Sequence, residues 1–224
     1  MSRAEAVHKR GLTERAHEGM RQGRIITARH GMPNLSRAMH LSARDFGDWW
    51  ANYDASGLHP DERAPEGLVA LARGARTVLS SSLPRAIETA RAATEGRIDA
   101  PADPMFVEAP LPPPPIPLLR LSPGQWGVVS RLFWVFGYAP DGVEPVGETW
   151  RRVDRIVERL SDIAAEGDVL LCAHGYLNWM IDRRLRRAGW RRSGREGGHD
   201  YWSWRVFEPP AQALRGVGRE AHAE

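Results

Sequence analysis

The chain has 224 residues, 42% hydrophobic and 26% charged, with a net charge of +3, which fits one globular domain with a sizeable core and excludes a disordered or fibrous polymer. No stretch approaches the ~20 apolar residues of a spanning helix, and Met1 to Gly23 is polar throughout, so neither an anchor nor a signal peptide is expected and the protein reads as cytoplasmic. One cysteine, Cys172, excludes an intrachain disulfide or a thiolate metal cluster, and the cations, all arginine but for Lys9, are spread too evenly to point to nucleic acid.

In chain order, residues 1–23 read as an N-terminal extension, 24–208 as the folded domain and 209–224 as a loosely ordered tail rich in Pro, Gly and charge. Four short apolar runs read as strands, over Arg24 to Ala28, Thr77 to Ser80, Met105 to Val107 and Asp168 to Cys172. A helix is expected over Leu83 to Thr94, with Ser82 as its cap and Pro84 in the first turn, where a missing N–H costs nothing. Pro110 to Pro117 is too dense in proline for a helix and reads as a rigid, extended active-site wall or, alternatively, a partner's docking segment. The aromatic stretch Gln125 to Tyr138, with Arg131 and Trp134, is a candidate lid. Trp150, Val153, Val157, Leu160 and Ala164 recur at spacing three and four, as do Leu177, Met180, Ile181 and Leu185, so both stretches are amphipathic helices. Arg183, Arg184, Arg186, Arg187, Arg191 and Arg192 read as a solvated helix face, and Tyr201 to Phe207 as a last, aromatic strand. Alternating strands and helices predict a three-layer α/β sandwich with a mostly parallel central sheet flanked by helices.

In such sheets ligands bind beyond the carboxyl ends of the strands. The residues there are Arg29-His30-Gly31, Ser81-Ser82 with Arg85, Glu108, and His174-Gly175. Arginine offers a planar fork of donors that matches phosphate oxygens, so Arg29 and Arg85, with a protonated His174, suggest a phosphoryl site that needs no Mg²⁺. A neutral His30 could then attack phosphorus, and Glu108, its pKa raised by partial burial, could give and take the proton. Asp103, Asp141 and Glu144 are the other carboxylates in reach of that role. No His and carboxylate spacing suggests a metal site, and His8, His17, His40, His59, His199 and His222 read as solvent or packing residues.

The segments Thr27-Ala28-Arg29-His30-Gly31, Ser81 to Ala90 and Ala173-His174-Gly175 closely resemble the three signature stretches of the histidine phosphatase superfamily, also called phosphoglycerate-mutase-like. The resemblance runs from about Arg24 to Phe207. It implies a phosphoric monoester hydrolase of the histidine acid type, without cofactor or metal, in which Arg29, Arg85 and His174 bind phosphate, His30 is the nucleophile and Glu108 is the acid/base. Gly147-Glu148 looks like the family's Gly-Glu-Ser element, with Thr149 in place of serine. Ser36 stands where the family often has a phosphate-binding Asn, leaving Asn34 as the nearest amide, and Met32-Pro33 replaces the usual Glu-Thr or Glu-Ser.

The expected partner is therefore a small phosphorylated substrate, with no nucleic acid and no membrane, and with a homodimer left open. A mutase and a non-catalytic phospho-ligand binder are the alternatives. Segments Met32 to Tyr53, Pro110 to Gly124 and Phe136 to Val146 would set specificity.

Overall fold

Five-residue strands with almost wholly buried side chains make the centre of the sheet: β1 (Ile25–Arg29), β2 (Thr77–Ser81) and β4 (Val169–Ala173). Such unbroken apolar runs belong to strands covered on both faces. The computed structural model describes residues 22–211. In it β4 lies between β1 and β2 and pairs in parallel with both. β3 (Ala102–Asp103) extends the parallel part beyond β2. On the other side of β1, β6 (Trp204–Glu208) and β5 (Arg191–Glu196) pair antiparallel, giving the order β3-β2-β4-β1-β6-β5.

Six helices flank this mostly parallel sheet, as the alternating pattern predicts: α1 (Ala43–Ala55), α2 (Glu66–Gly74), α3 (Pro84–Ala93), α4 (Pro123–Val135), α5 (Val146–Ala164) and α6 (Gly175–Arg187). The period-two alternation of strands sorts their side chains into two cores. Ile25, Leu79, Val169 and Leu171 pack with Val153, Ile156 and Leu160 of α5 and Leu177, Ile181 and Leu185 of α6. Ile26, Ala28, Val78, Leu170 and Cys172 pack with Leu68 and Ala72 of α2 and Ala90 and Ala93 of α3. Burial pushes the Cys172 thiol up to about 12, so it serves as a packing residue. A third cluster stands apart from the sheet, where Phe46, Trp49 and Tyr53 of α1 meet Trp126 of α4, with Ile116 of the proline-rich segment and Leu119 just after it packed against them.

Several boundaries differ from expectation. The strand expected over Met105 to Val107 does not form: β3 ends at Asp103, because Pro104 has no N–H for a ladder and the Asp103 side chain accepts from Met105 N, opening a 3₁₀ turn over Pro104–Phe106. Leu83, not Ser82, is the cap of α3, since the residue before a proline is driven to extended backbone. Arg191 and Arg192 belong to the exposed edge strand β5, where charge discourages pairing with another chain. On α6, Arg184 pairs with Asp154 and Arg186 with Asp182. The N-terminal extension and nearly all of the expected tail, with His8, His17 and His222, lie outside the described residues. Among those residues no helix is long and apolar enough to cross a membrane.

Candidate active site

Because β1, β2 and β4 run parallel, their carboxyl ends bring Arg29-His30, Ser81 and His174 to one edge. His30 N–H donates to Ala173 O (3.0 Å), which locks the end of β1 to that of β4. The His30 ring is 2% exposed, and its Nδ1 lies 2.7 Å from Gly31 O. A carbonyl can only accept, so the proton sits on Nδ1 and the lone pair on Nε2. Burial first, then the charges of Arg85 and Arg29, hold its pKa well below the ordinary value, against the weaker pull of Gly31 O. At neutral pH it is an unprotonated imidazole, the form that can act as a nucleophile.

Arg85, fully buried in the first turn of α3, donates from Nε to His30 Nε2 (3.3 Å), from Nη1 to Tyr53 O (2.9 Å) and from Nη2 to Asp54 Oδ1 (2.9 Å). Arg29 stacks on Tyr201, 4.5 Å from the ring centre, and donates from Nη1 to His199 O. Its Nε is buried without a partner. His174, whose ring centre is 5.2 Å from that of His30, holds Ser81 Oγ at 2.8 Å through Nε2 and has no partner at its buried Nδ1. Two orphan nitrogens on residues flanking one imidazole are unusual, since buried polar atoms almost always have partners. An anion with several acceptor oxygens would satisfy them.

One expectation is corrected. Burial, followed by the charges of His30, Arg85 and Arg29, pushes His174 well below its ordinary pKa, so the free site holds it neutral rather than protonated. Close approach accounts for two glycines. A Cβ on Gly31 would strike the Trp202 indole at 2.5 Å, and one on Gly175 would stand 3.2 Å from Arg29 Nε.

Glu108 lines the same cavity, although it follows a 3₁₀ turn instead of a strand. Two arginines hold its backbone in place. Arg152, paired with Glu144 at 2.8 Å, donates to Met105 O and Val107 O. Arg131 donates to Ala109 O and Pro110 O. Glu108 Oε1 accepts from Ala109 N (2.9 Å) and Leu177 N (2.8 Å), and Oε2 from Tyr176 N (3.1 Å), so the carboxylate sits on the amino end of α6. The rival carboxylates Asp103 and Glu144 are instead paired with Arg159 and Arg152.

Residues not singled out from sequence also take part. Arg37, not Asn34, reaches the cavity, and it donates to the Tyr201 hydroxyl (2.6 Å). Asp54 lines an adjoining cavity with Glu108, Leu111 and Pro112. Burial first, and the charge of Glu108, push its carboxyl above the ordinary value against the pull of Arg85. His199, read as a bystander, supplies the carbonyl that holds Arg29 and also lines the cavity. The lid reading of Trp134 is corrected: its ring is fully buried beneath α4, with Nε1 donating to Glu144 O (2.9 Å). The same helix lines the cavity through Gly124, Gly127, Val128, Arg131 and Leu132, with the Arg131 guanidinium 4.8 Å from the Trp134 ring centre. Among the described residues, no group of three or more His, Cys, Asp or Glu is arranged to hold a metal ion.

No protein-family model and no curated protein matches this sequence. Solved structures do. The native mycobacterial glucosyl-3-phosphoglycerate phosphatase is 21% identical, with a TM-score of 0.53, over 82% of this chain and 89% of that one. The same phosphatase complexed with VO3 is 22% identical, with a TM-score of 0.53, over 82% and 92%. A mycobacterial protein described as hydrolase 2 is 20% identical, with a TM-score of 0.51, over 90% and 99%. These likenesses show the fold alone: the chain shares the α/β fold of these structures.

Proposed function

We propose that the chain hydrolyses phosphomonoesters through a covalent phosphohistidine on His30. The observation that carries this reading is the state of His30: Nδ1 bound to Gly31 O, Nε2 carrying a lone pair, and the ring kept neutral beside Arg29 and Arg85. Phosphate oxygens would take the donors of Arg29 and Arg85 and reach the orphan Arg29 Nε and His174 Nδ1. The Ser81 hydroxyl accepts from Leu83 N, so it can give its own proton to His174 Nε2 and leave Nδ1–H as the donor. Preorganised donors of this kind favour the charge of a transferring phosphoryl group.

In the first step the His30 Nε2 lone pair forms the N–P bond as the bond from phosphorus to the alcohol oxygen breaks. Glu108 gives the departing oxygen a proton. Oε2, with a single backbone partner, is the oxygen free to carry it. In the second step water forms the new O–P bond, the N–P bond breaks, and the proton of water returns to Glu108. The reading of a phosphatase related to the histidine acid type rests on these residues and on the fold.

The experiment is hydrolysis of p-nitrophenyl phosphate and a panel of esters in EDTA, comparing wild type with His30→Ala. Turnover that survives EDTA and falls by at least about 10³-fold in the variant is expected, together with a label from ³²P-ester on histidine that is stable to alkali and lost in acid. Wild type that binds phosphate but turns over no ester would make the chain a phospho-ligand binder.

A further inference from the structure

The cavity that opens from His30 holds about 460 Å³, within the ~300–1,000 Å³ range of pockets for organic ligands and far beyond the needs of a phosphoryl group. Its outer part is apolar and aromatic. Trp50 of α1, Leu111 of the proline-rich segment, Val128 and Leu132 of α4, and Tyr176 and Trp179 of α6 line it. Val128 and Leu132 are 62% and 53% exposed, apolar side chains left in water on a helix that also presents Gly124 and Gly127 to the cavity. Glycine inside a helix costs roughly 1 kcal/mol relative to alanine. A Cβ on Gly127 would meet nothing within 4 Å, so the absent side chain leaves open space and relieves no clash.

The charges are distributed just as unevenly. Arg29, Arg85 and Arg37 all act on His30, at the phosphate end. The remaining lining arginine, Arg131, is used by the protein: it donates to Ala109 O and Pro110 O, and its guanidinium lies 3.9 Å from the Tyr176 ring centre. Among the described residues, the outer wall therefore offers a ligand aromatic rings and branched aliphatic side chains and no lining cation without a protein partner for a second anionic group; Arg183, outside the lining, lies over the Trp179 ring, 4.9 Å from its centre.

We infer that the substrate is a phosphomonoester of a large apolar, ring-bearing alcohol, with a single phosphate, and that Val128, Leu132 and the space over Gly127 determine this choice. The inference rests on the phosphatase reading above, and it excludes phosphoglycerates and bisphosphates as good substrates.

The test compares 2-(1-naphthyl)ethyl phosphate with glycerol 3-phosphate. Both are esters of primary alcohols, so leaving-group chemistry is close to matched and the alcohol's contacts decide. The naphthylethyl ester should have a kcat/KM higher by about tenfold or more, the order expected from burying a bicyclic hydrocarbon against this wall. Val128→Asp and Gly127→Leu should each collapse that ratio, one by wetting the wall and the other by filling the space. Val128 is exposed, so a melting curve is expected to show the first variant folded. A wild-type ratio near one or below, or a ratio untouched in a folded Val128→Asp, overturns the inference while leaving the phosphatase reading intact. If wild type hydrolyses neither ester, the phosphatase reading fails, and calorimetric binding of the same two compounds decides the inference alone: tighter binding of the naphthylethyl ester by about tenfold upholds it, and equal or absent binding overturns it.

Discussion

The two ends of the cavity are built on different principles. At the inner end, His30, Arg85 and His174 are buried polar residues at the carboxyl ends of strands or in the turn that follows, each held by named hydrogen bonds. At the outer end, Trp50, Val128, Leu132, Tyr176 and Trp179 come from three helices and make a wall through their shape and apolar surface. On the proposed function, the difference makes the reaction and the choice of alcohol separable in this fold. The inner residues are tied to the sheet and have little freedom to vary, whereas the outer ones can change without disturbing the sheet.

The largest expected effect tests whether the outer end has its own structural support. Trp126 is fully buried in the cluster of α1 and α4, with Nε1 donating to Leu41 O (2.7 Å). Trp126→Ala should cost about 3–5 kcal/mol, read from the urea midpoint, and the naphthylethyl preference should fall further than hydrolysis of glycerol 3-phosphate in the protein that still folds. An equal loss on both esters would mean that the two ends are mechanically one unit.

Next in size is a change at the inner end. Arg85→Ala removes donors to His30 Nε2, Tyr53 O and Asp54, and it should lower kcat/KM about 10²–10³-fold. The factor should be the same for the naphthylethyl and glycerol esters, because in the proposed reaction Arg85 meets only the phosphoryl group. A factor that depends on the alcohol would break the separation of the two ends.

The last effect is one of pH. His30 and His174 are both held well below 6.5 by burial, so below that pH the unfolded chain binds protons that the native chain refuses. Stability contributed by each neutral histidine is therefore present above about pH 6.5 and lost as the pH falls beneath it, by about 1.4 kcal/mol per pH unit per histidine. Chemical denaturation between pH 7.5 and 5 should show this slope in wild type, about half of it in His30→Gln, and an unchanged slope in Val128→Asp. A wild-type slope no steeper than that of His30→Gln would mean that the His30 ring is wetter than its burial indicates.

Much of this was legible before any coordinates. The runs Arg24 to Ala28, Thr77 to Ser80 and Asp168 to Cys172 fall within a residue of β1, β2 and β4, because buried parallel strands are short, apolar and abruptly ended. Val153, Val157 and Leu160 likewise announce α5 through their spacing. Arg29, His30, Arg85, Glu108 and His174 were all named from sequence, and the structure gathers them at one edge. The sequence reading gives no bounds for α1 and α4, although Trp49, Trp50, Trp126 and Trp134 sit in apolar helical patterns, and it gives nothing of α2 and β5. Ser42 with Asp45 and Ser122 with Gln125 form capping boxes at the starts of α1 and α4, a signal of four-residue span that was there to be read.

By itself the sequence determined the three central strands, the long amphipathic helices and the polar residues of the inner end, since hydrophobic period and strand termini act over a few residues and leave their mark locally. Only the tertiary structure decided which face of α4 meets the cavity, that Trp134 lies under the helix rather than over the site, that Arg37 acts on His30 while Asp54 holds Arg85, and that burial keeps His174 neutral. Each of those depends on surface removed from water by elements distant in the chain, and no local window of sequence contains that quantity.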